Sequence, residues 1–118
     1  MAQFHIRAIG MAYVTMIRAI AIAFTSHNVL VLLSLTGLIA SGAAVVFMLL
    51  EGWRYIDALY FAVVTMATVG YGDFAPTTAA GKVFTIGYLF IGIGMFVLAV
   101  GASAEAMISA LRRLSEDQ

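Results

Sequence analysis

Two stretches of this chain are long, apolar and free of charged residues, and they limit its fold more than any other feature. They run from Val29 to Leu50 and from Val83 to Ala104. An α-helix rises about 1.5 Å per residue, so roughly 20 residues cross the ~30 Å hydrocarbon core of a bilayer. Backbone groups inside lipid must be hydrogen-bonded within their own segment, so we expect both stretches to be membrane-spanning helices. A buried helix of a soluble protein would usually be shorter and carry a polar face.

The composition excludes several classes of function. Hydrophobic residues make up 64% of the chain and charged residues only 10%, against about 25% charged residues in ordinary soluble domains. The six basic and six acidic residues cancel, so no basic face for nucleic acid is expected. The absence of cysteine excludes disulfides and thiolate metal sites. The candidate catalytic acids are Asp57, Asp73 and Glu105. We expect them at different depths in the membrane, too far apart to share one site, so we predict neither an enzyme nor a cofactor.

The first 27 residues form a less uniform apolar segment. The run from Phe4 to Phe24 is interrupted by Arg7 and Arg18, which fall on nearly the same side of a helix. An arginine near the middle of a span costs about 2.5–3.5 kcal/mol on insertion scales. We therefore predict an amphipathic helix that lies along the membrane interface with both arginines toward lipid phosphates. The alternative is a third membrane-spanning helix.

The basic residues also predict the orientation of the chain. Between the two spans, the connection from Glu51 to Lys82 holds only Arg54 and Lys82 as basic residues. Cytoplasmic segments carry the excess of lysine and arginine, so we expect both termini in the cytoplasm and the connection outside. The arginines outside the connection are Arg7, Arg18, Arg112 and Arg113.

The middle of the connection is apolar again but too short to cross. The segment from Asp57 to Ala67 contains neither glycine nor proline, and as a helix it would be only about 16 Å long. Such a helix can enter the membrane and return if protein surrounds it. Asp57 would lie in the first turn, where a carboxylate suits the positive end of the helix dipole. We predict a re-entrant helix over residues 57–67.

The hexapeptide TVGYGD at residues 68–73 follows directly. Gly70 and Gly72 would end a helix, and they permit backbone angles that point successive carbonyls the same way. Four copies of such a strand about one axis would stack rings of carbonyl oxygens, to which the Thr68 hydroxyls add one ring. Rings of this kind can replace the water shell of a potassium ion. The partial negative charge at the C-terminal end of the preceding helix would also favour a cation.

With these residues the chain resembles the pore module of the tetrameric potassium channels. The resemblance covers about residues 28–111 and implies an all-α membrane protein that is a homotetramer around a central pore. Its partners would be further copies of itself, membrane lipid and permeant K⁺, with no nucleic acid. Together with the interfacial helix predicted above at 1–27, this gives a pore domain at 28–118, with outer helix 28–50, pore helix 57–67, filter 68–73 and inner helix 81–111.

By this resemblance, the filter residues bind dehydrated potassium. The Thr68 hydroxyl would act with the carbonyls, and Gly72 would complete the outer mouth. Val69 and Tyr71 would point their side chains away from the axis and pack behind the filter. The carbonyls that would coordinate K⁺ belong to Thr68, Val69, Gly70 and Tyr71.

The resemblance also assigns residues that support the filter. Asp73 corresponds to an acid that caps the filter from outside, and Tyr60 would donate a hydrogen bond to it. Phe61 has no donor, so its contribution would be packing. Val64 stands where some bacterial relatives have a buried glutamate, so that polar link is absent here.

On the inner helix the resemblance points to a hinge, a cavity and a gate. Gly92 matches a glycine at which some relatives bend; close helix packing in lipid is the alternative, and Gly94 and Gly101 are further candidates for a hinge. Ala104 and Ile108 fall where four inner helices would converge near the cytoplasm and gate by dewetting. The expected cavity lining is Ile93, Phe96, Val97 and Val100.

We therefore predict a potassium-selective channel that conducts ions passively in a cell membrane. The short chain and the family pattern suggest a bacterial inner membrane. One alternative is a less selective sodium and potassium channel of the same fold, although Tyr71 and Gly72 are intact. Another is a non-conducting scaffold or accessory subunit that associates through small residues on its helices.

Overall fold

The computed structural model describes residues 1–117, and its regular elements are all helices. Within that range no strand forms. Three of the helices are long and apolar enough to cross a membrane by length and composition, and one apolar helix is shorter. The prediction of an all-helical membrane protein is confirmed at this level. The helices are α1 (Ala2–Thr25), α2 (His27–Glu51), α3 (Tyr55–Met66) and α4 (Ala79–Glu116).

Local hydrogen bonds explain where α3 begins. The helix starts at Tyr55 rather than at Asp57, because Arg54 occupies the N-cap position with an extended backbone. The Arg54 Nε donates to Asp57 Oδ2 at 2.9 Å, which places the carboxylate in the first turn of α3. The hydrogen bond between the two side chains raises the pKa of the Arg54 guanidinium. The acidic first turn expected from the helix dipole is therefore present.

Local bonds also explain the end of α2 and the start of α4. Gly52 adopts a φ of +71°, and its amide donates to the Met48 carbonyl at 3.1 Å. A glycine in the left-handed region is a common way to end a helix. Thr78 precedes α4, and its hydroxyl accepts the Gly81 amide at 3.0 Å. This threonine cap lets α4 begin at Ala79, earlier than the predicted residue 81.

The chain divides into two compact units, of which the larger is residues 32–99. Its core combines large aromatic residues with small ones, which allow helices to approach closely. Phe47 is at the centre and is fully buried. The buried core residues of this unit are Ala40, Ala43, Ala44, Phe47, Ala58, Phe61, Ala62, Met66 and Tyr88.

Aromatic rings around Phe47 connect three helices of this unit. The ring centroid of Phe47 lies 4.9 Å from that of Phe61 on α3 and 5.1 Å from that of Phe84 on α4. Both pairs meet edge to face, an arrangement that the ring quadrupoles favour. Trp53, in the turn before α3, packs on Phe61 at 5.2 Å and on Phe74 at 5.5 Å. We call these residues, together with Tyr88, the aromatic cluster.

The second unit comprises residues 1–31 and the chain from Val100 onward, and it buries fewer large side chains. Phe4 is 76% exposed and Ile17 is 64% exposed. Arg7 and Arg18 line one groove on α1, so they share a side as the sequence spacing predicts. The length of α1 allows it to cross a membrane, and its position along the interface stays a prediction. The buried hydrophobic residues of this unit are Ala19, Ala23, Val29 and Ala110.

Candidate functional site

The segment after α3 has an alternating backbone. Thr68, Gly70 and Gly72 have φ values of +61°, +55° and +81°. Val69 and Tyr71, between them, are not in the positive-φ region. An extended strand normally points successive carbonyls to opposite sides, and a change of backbone hand at every second residue can bring them to one side. We call residues 68–72 the filter strand.

Two of the alternating positions are glycines, which adopt positive φ at little cost. Thr68 is different, because among residues 1–117 it is the only residue other than glycine with a positive φ. A left-handed conformation costs a β-branched residue on the order of 1–3 kcal/mol. The surrounding bonds must hold it there, and the Thr68 amide donates to the Thr65 carbonyl at 3.0 Å.

The last turn of α3 anchors the filter strand through one carbonyl oxygen. Val64 O accepts the amide of Val69 at 3.0 Å and the amide of Gly70 at 3.4 Å. The sequence drew attention to Val64 only for the glutamate that its side chain replaces, whereas here its backbone makes the contact. Every residue type has a backbone carbonyl, so the sequence could not predict that the one at Val64 would be the acceptor.

The side chains of the filter strand are not covered by their own chain. Val69 is 52% exposed and Tyr71 is 72% exposed. The sequence predicts that both pack behind the filter, and in a single chain half or more of each side chain remains exposed.

Asp73 lies at the outer end of the filter strand. Its Oδ1 accepts the Phe74 amide at 3.1 Å. The pKa of the Tyr60 phenol on α3 is raised, and interaction with Asp73 is the largest cause. A bond donated to a carboxylate favours the protonated phenol. The structure thus brings together Tyr60 and Asp73, the pair chosen from the sequence.

Behind α3, Phe61 is 8% exposed and belongs to the aromatic cluster. Its packing role was expected, but its neighbours were not. The ring of Trp53 packs against both Phe61 and Phe74, a contact that no pattern in the sequence predicts. The spacing of these residues in the chain gives no helical or strand period that would have revealed the contact.

Glu51, at the end of α2, forms the densest set of hydrogen bonds near the site. Its Oε2 accepts the amide and hydroxyl of Thr77, both at 3.0 Å, and its Oε1 accepts the amide and hydroxyl of Thr78 at 3.1 and 2.6 Å. A Cβ at Gly81 would collide with Glu51 Oε1. We call Glu51, Thr77 and Thr78 the clasp. It joins two places separated by the whole pore helix and filter strand.

On α4, a second link reaches the pore helix. The hydroxyl of Tyr88 donates to the Ala62 carbonyl at 2.9 Å in a buried position. The Tyr88 ring also lies against Gly92, which is buried. Tyr88 lies one turn before Gly92 on α4 itself, so this contact does not test the close packing between helices that the sequence suggests. The sequence analysis did not single out Tyr88.

The remaining residues expected on the inner helix all lie on α4, which continues as a helix through Gly92, Gly94 and Gly101. Ile93 and Phe96 are half-buried. The others are exposed in this chain, and their place along a pore stays a prediction. These exposed residues are Val97, Val100, Ala104 and Ile108.

Across residues 1–117, no group of three or more histidine, cysteine, aspartate or glutamate side chains comes together in a way that could hold a metal ion. The filter strand itself contains backbone carbonyls and the Thr68 hydroxyl. Backbone carbonyls and a threonine hydroxyl are hard ligands that suit alkali cations.

Comparison with known proteins identifies the family. The profile of a family described as "Ion channel" matches residues 28–109. The chain is 45% identical over 65 residues to "Potassium channel protein 1" of Methanocaldococcus jannaschii, which is 55% of this chain and 20% of that protein. It is 42% identical over 60 residues to "Probable potassium channel protein 2" of the same organism, covering 51% of this chain and 18% of that protein.

A plant protein shows the same similarity over a shorter stretch. The chain is 55% identical over 38 residues to "Two pore potassium channel c" of Oryza sativa subsp. japonica, covering 32% of this chain and 8% of that protein. The chain thus spans 20% or less of the length of these three relatives. The matches confirm the resemblance to a potassium channel pore module. Since the profile covers more than half of its residues, the chain belongs to the ion channel family.

Proposed function

We propose that this chain is the pore-forming subunit of a potassium-selective channel that conducts K⁺ passively. The alternation of φ at Thr68, Gly70 and Gly72 is the observation that carries this proposal. It is the backbone arrangement that would present a column of carbonyl oxygens to an ion. The names of the similar archaeal and plant proteins support potassium as the permeant ion.

The functional unit in this proposal is a homotetramer. One filter strand offers oxygens from one side only, whereas a dehydrated ion needs ligands all around it. The exposed side chains of Val69 and Tyr71 support association, because neighbouring copies would cover them. In the assembly α3 would be a re-entrant helix, with its C-terminal end directed toward the ion path.

Conduction follows from the same oxygens. A potassium ion would exchange its water shell for carbonyl ligands of Thr68, Val69, Gly70 and Tyr71, with the Thr68 hydroxyl as the innermost ligand. Several such sites in single file let a following ion repel the one ahead, so tight binding does not stop the flow. The link between Tyr60 and Asp73 would stabilise the outer end of the column.

We propose a cell-membrane location with both termini in the cytoplasm and α1 along the interface. The chain has no cysteine, so single cysteines give unambiguous labels. Ala2→Cys and Ser115→Cys should both react with an impermeant maleimide from the same side of sealed vesicles. Reaction from opposite sides would show that α1 spans the membrane.

Potassium flux from liposomes tests the proposed activity, with Gly70→Ala and Gly52→Ala as a matched pair. Both glycines have positive φ and both have open space around them, but only Gly70 lies in the filter strand. We expect barium-sensitive K⁺ flux in the unmodified protein and in Gly52→Ala, and a loss of at least about tenfold in Gly70→Ala, since strain of 1–3 kcal/mol falls on the ion ligands.

Each alternative predicts a different result. Equal permeability to Na⁺ and K⁺ would indicate a less selective cation channel. A stable oligomer without flux under any condition would indicate a scaffold. A monomer or dimer in lipid would contradict the proposal outright.

A further inference from the structure

The hydrogen bond from Tyr88 to Ala62 is unusual in its surroundings. Tyr88 is 5% exposed and sits in the aromatic cluster, where Phe47 and Phe84 fill comparable space without a polar group. A phenylalanine at this position would fill the same space. The hydroxyl instead donates to the Ala62 carbonyl across 26 residues of sequence. A carbonyl has two lone pairs, so it can accept this bond in addition to one from its own helix.

The acceptor lies close to the anchor of the filter strand. Ala62 and Val64 are both in the last turns of α3. Val64 O holds the amides of Val69 and Gly70. The same short piece of α3 is therefore bonded to α4 through Tyr88 and to the filter strand through Val64. A displacement of this piece relative to α4 would move the filter amides and the carbonyls between them.

Gly92 is part of the same arrangement. A Cβ at Gly92 would lie 3.2 Å from Cζ and 3.3 Å from Cε2 of the Tyr88 ring, closer than ordinary van der Waals contact. At Gly94, on the next half-turn, an added Cβ would meet nothing within 4 Å. The absence of a side chain at residue 92 leaves the Tyr88 ring in the position from which its hydroxyl reaches Ala62.

We propose that Tyr88 is a positioning residue for the filter, and that Gly92 is the seat of its ring. The inference rests on the proposed function, since it concerns how well the filter strand distinguishes K⁺ from Na⁺. Tyr88 does not touch the ion. It fixes the end of α3 that anchors Val69 and Gly70, and so it fixes the distances at which the carbonyls meet an ion.

The first test compares Tyr88→Phe with Tyr13→Phe, which removes a hydroxyl from an exposed ring on α1. Reversal potentials are measured on reconstituted channels with K⁺ on one side and Na⁺ on the other. We expect Tyr88→Phe to lower the permeability ratio of K⁺ over Na⁺ by about threefold to tenfold, the equilibrium effect of losing one buried hydrogen bond. Tyr13→Phe should leave the ratio unchanged.

The second test uses two glycines on the same helix. Gly92→Ala and Gly94→Ala raise helix propensity alike, but only the first pushes on the Tyr88 ring. We expect Gly92→Ala to lower the ratio in the same direction as Tyr88→Phe. Because both changes act on one bond, the double variant should show less than the sum of the single effects, whereas Tyr88→Phe with Gly94→Ala should be additive.

The outcomes separate the inference from the function on which it rests. A channel in which Tyr88→Phe only lowers the thermal midpoint of the tetramer, with an unchanged ratio, would overturn the positioning role. If Gly92→Ala and Gly94→Ala change the permeability ratio equally, Gly92 does not hold the Tyr88 ring in place, and a hinge in α4 is favoured. Failure of the unmodified protein to conduct at all would instead remove the proposed function.

Discussion

The aromatic cluster around Phe47 and the filter strand belong to the same compact unit, yet their packing is opposite. In the cluster, Phe47 is 0% exposed and Phe61 is 8% exposed, each enclosed by rings of its own chain. In the filter strand, Val69 and Tyr71 are 52% and 72% exposed. One chain therefore completes the support behind α3 but leaves the face that would meet an ion uncovered.

In the proposed tetramer, these two regions would form at different stages of assembly. The cluster and the clasp are satisfied by contacts within one chain, so they can form before any copies meet. In the filter strand the amides of Val69 and Gly70 are anchored on Val64, while the side chains of Val69 and Tyr71 remain largely exposed. Such a strand would suit a site whose remaining ligands come from symmetry-related copies of the chain.

The largest effect should come from Phe47→Ala, which removes the central ring of the aromatic cluster. Removing a fully buried ring of α2 that contacts rings on α3 and α4 should cost about 3–5 kcal/mol of folding stability. Leu49→Ala on the same helix is the control, because Leu49 is 75% exposed. Thermal unfolding of the purified protein in detergent measures both. Equal losses would mean that the cluster is not the part that a single chain completes.

An intermediate effect is expected from Glu51→Gln, which weakens the clasp. The carboxylate accepts four hydrogen bonds, and an amide has one oxygen with which to accept them. The amide nitrogen would then face the donors of one threonine. We expect the thermal midpoint to fall by several degrees, with little change for Glu105→Gln, an exposed acid elsewhere on α4. A midpoint unchanged by Glu51→Gln would show that the clasp does not hold the unit together.

The smallest effect should come from Arg54→Ala. Its ion pair with Asp57 is short, at 2.9 Å, but the Arg54 side chain is 81% exposed. Solvent and salt screen such pairs, so the thermal midpoint should hardly move and the small difference should vanish at high ionic strength. A loss as large as that of Phe47→Ala would mean that the pair is enclosed in the assembled protein and that the outer surface is part of the support.

Much of the fold could be predicted because lipid leaves few choices. An uncharged run such as that from Val29 to Leu50 must satisfy its backbone internally, and length then decides whether it crosses. The two glycines of the filter strand were also informative, because Gly70 and Gly72 adopt positive φ at little cost. The start of α3 was harder to place, because Arg54 caps the helix and bonds to Asp57, so the helix begins at Tyr55.

The segments, their order and the glycine positions of the filter strand follow from residue type and spacing alone, because solvent and local sterics act on neighbours in the chain. The positive φ of Thr68 does not, since a β-branched residue disfavours it. The clasp and the Tyr88 link join residues 26 and 27 positions apart, with no period that connects them. Glutamate at the end of an apolar helix is equally compatible with solvent or with the threonines beyond the filter. Only the three-dimensional packing of α2, α3 and α4 brings those donors and acceptors within bonding distance.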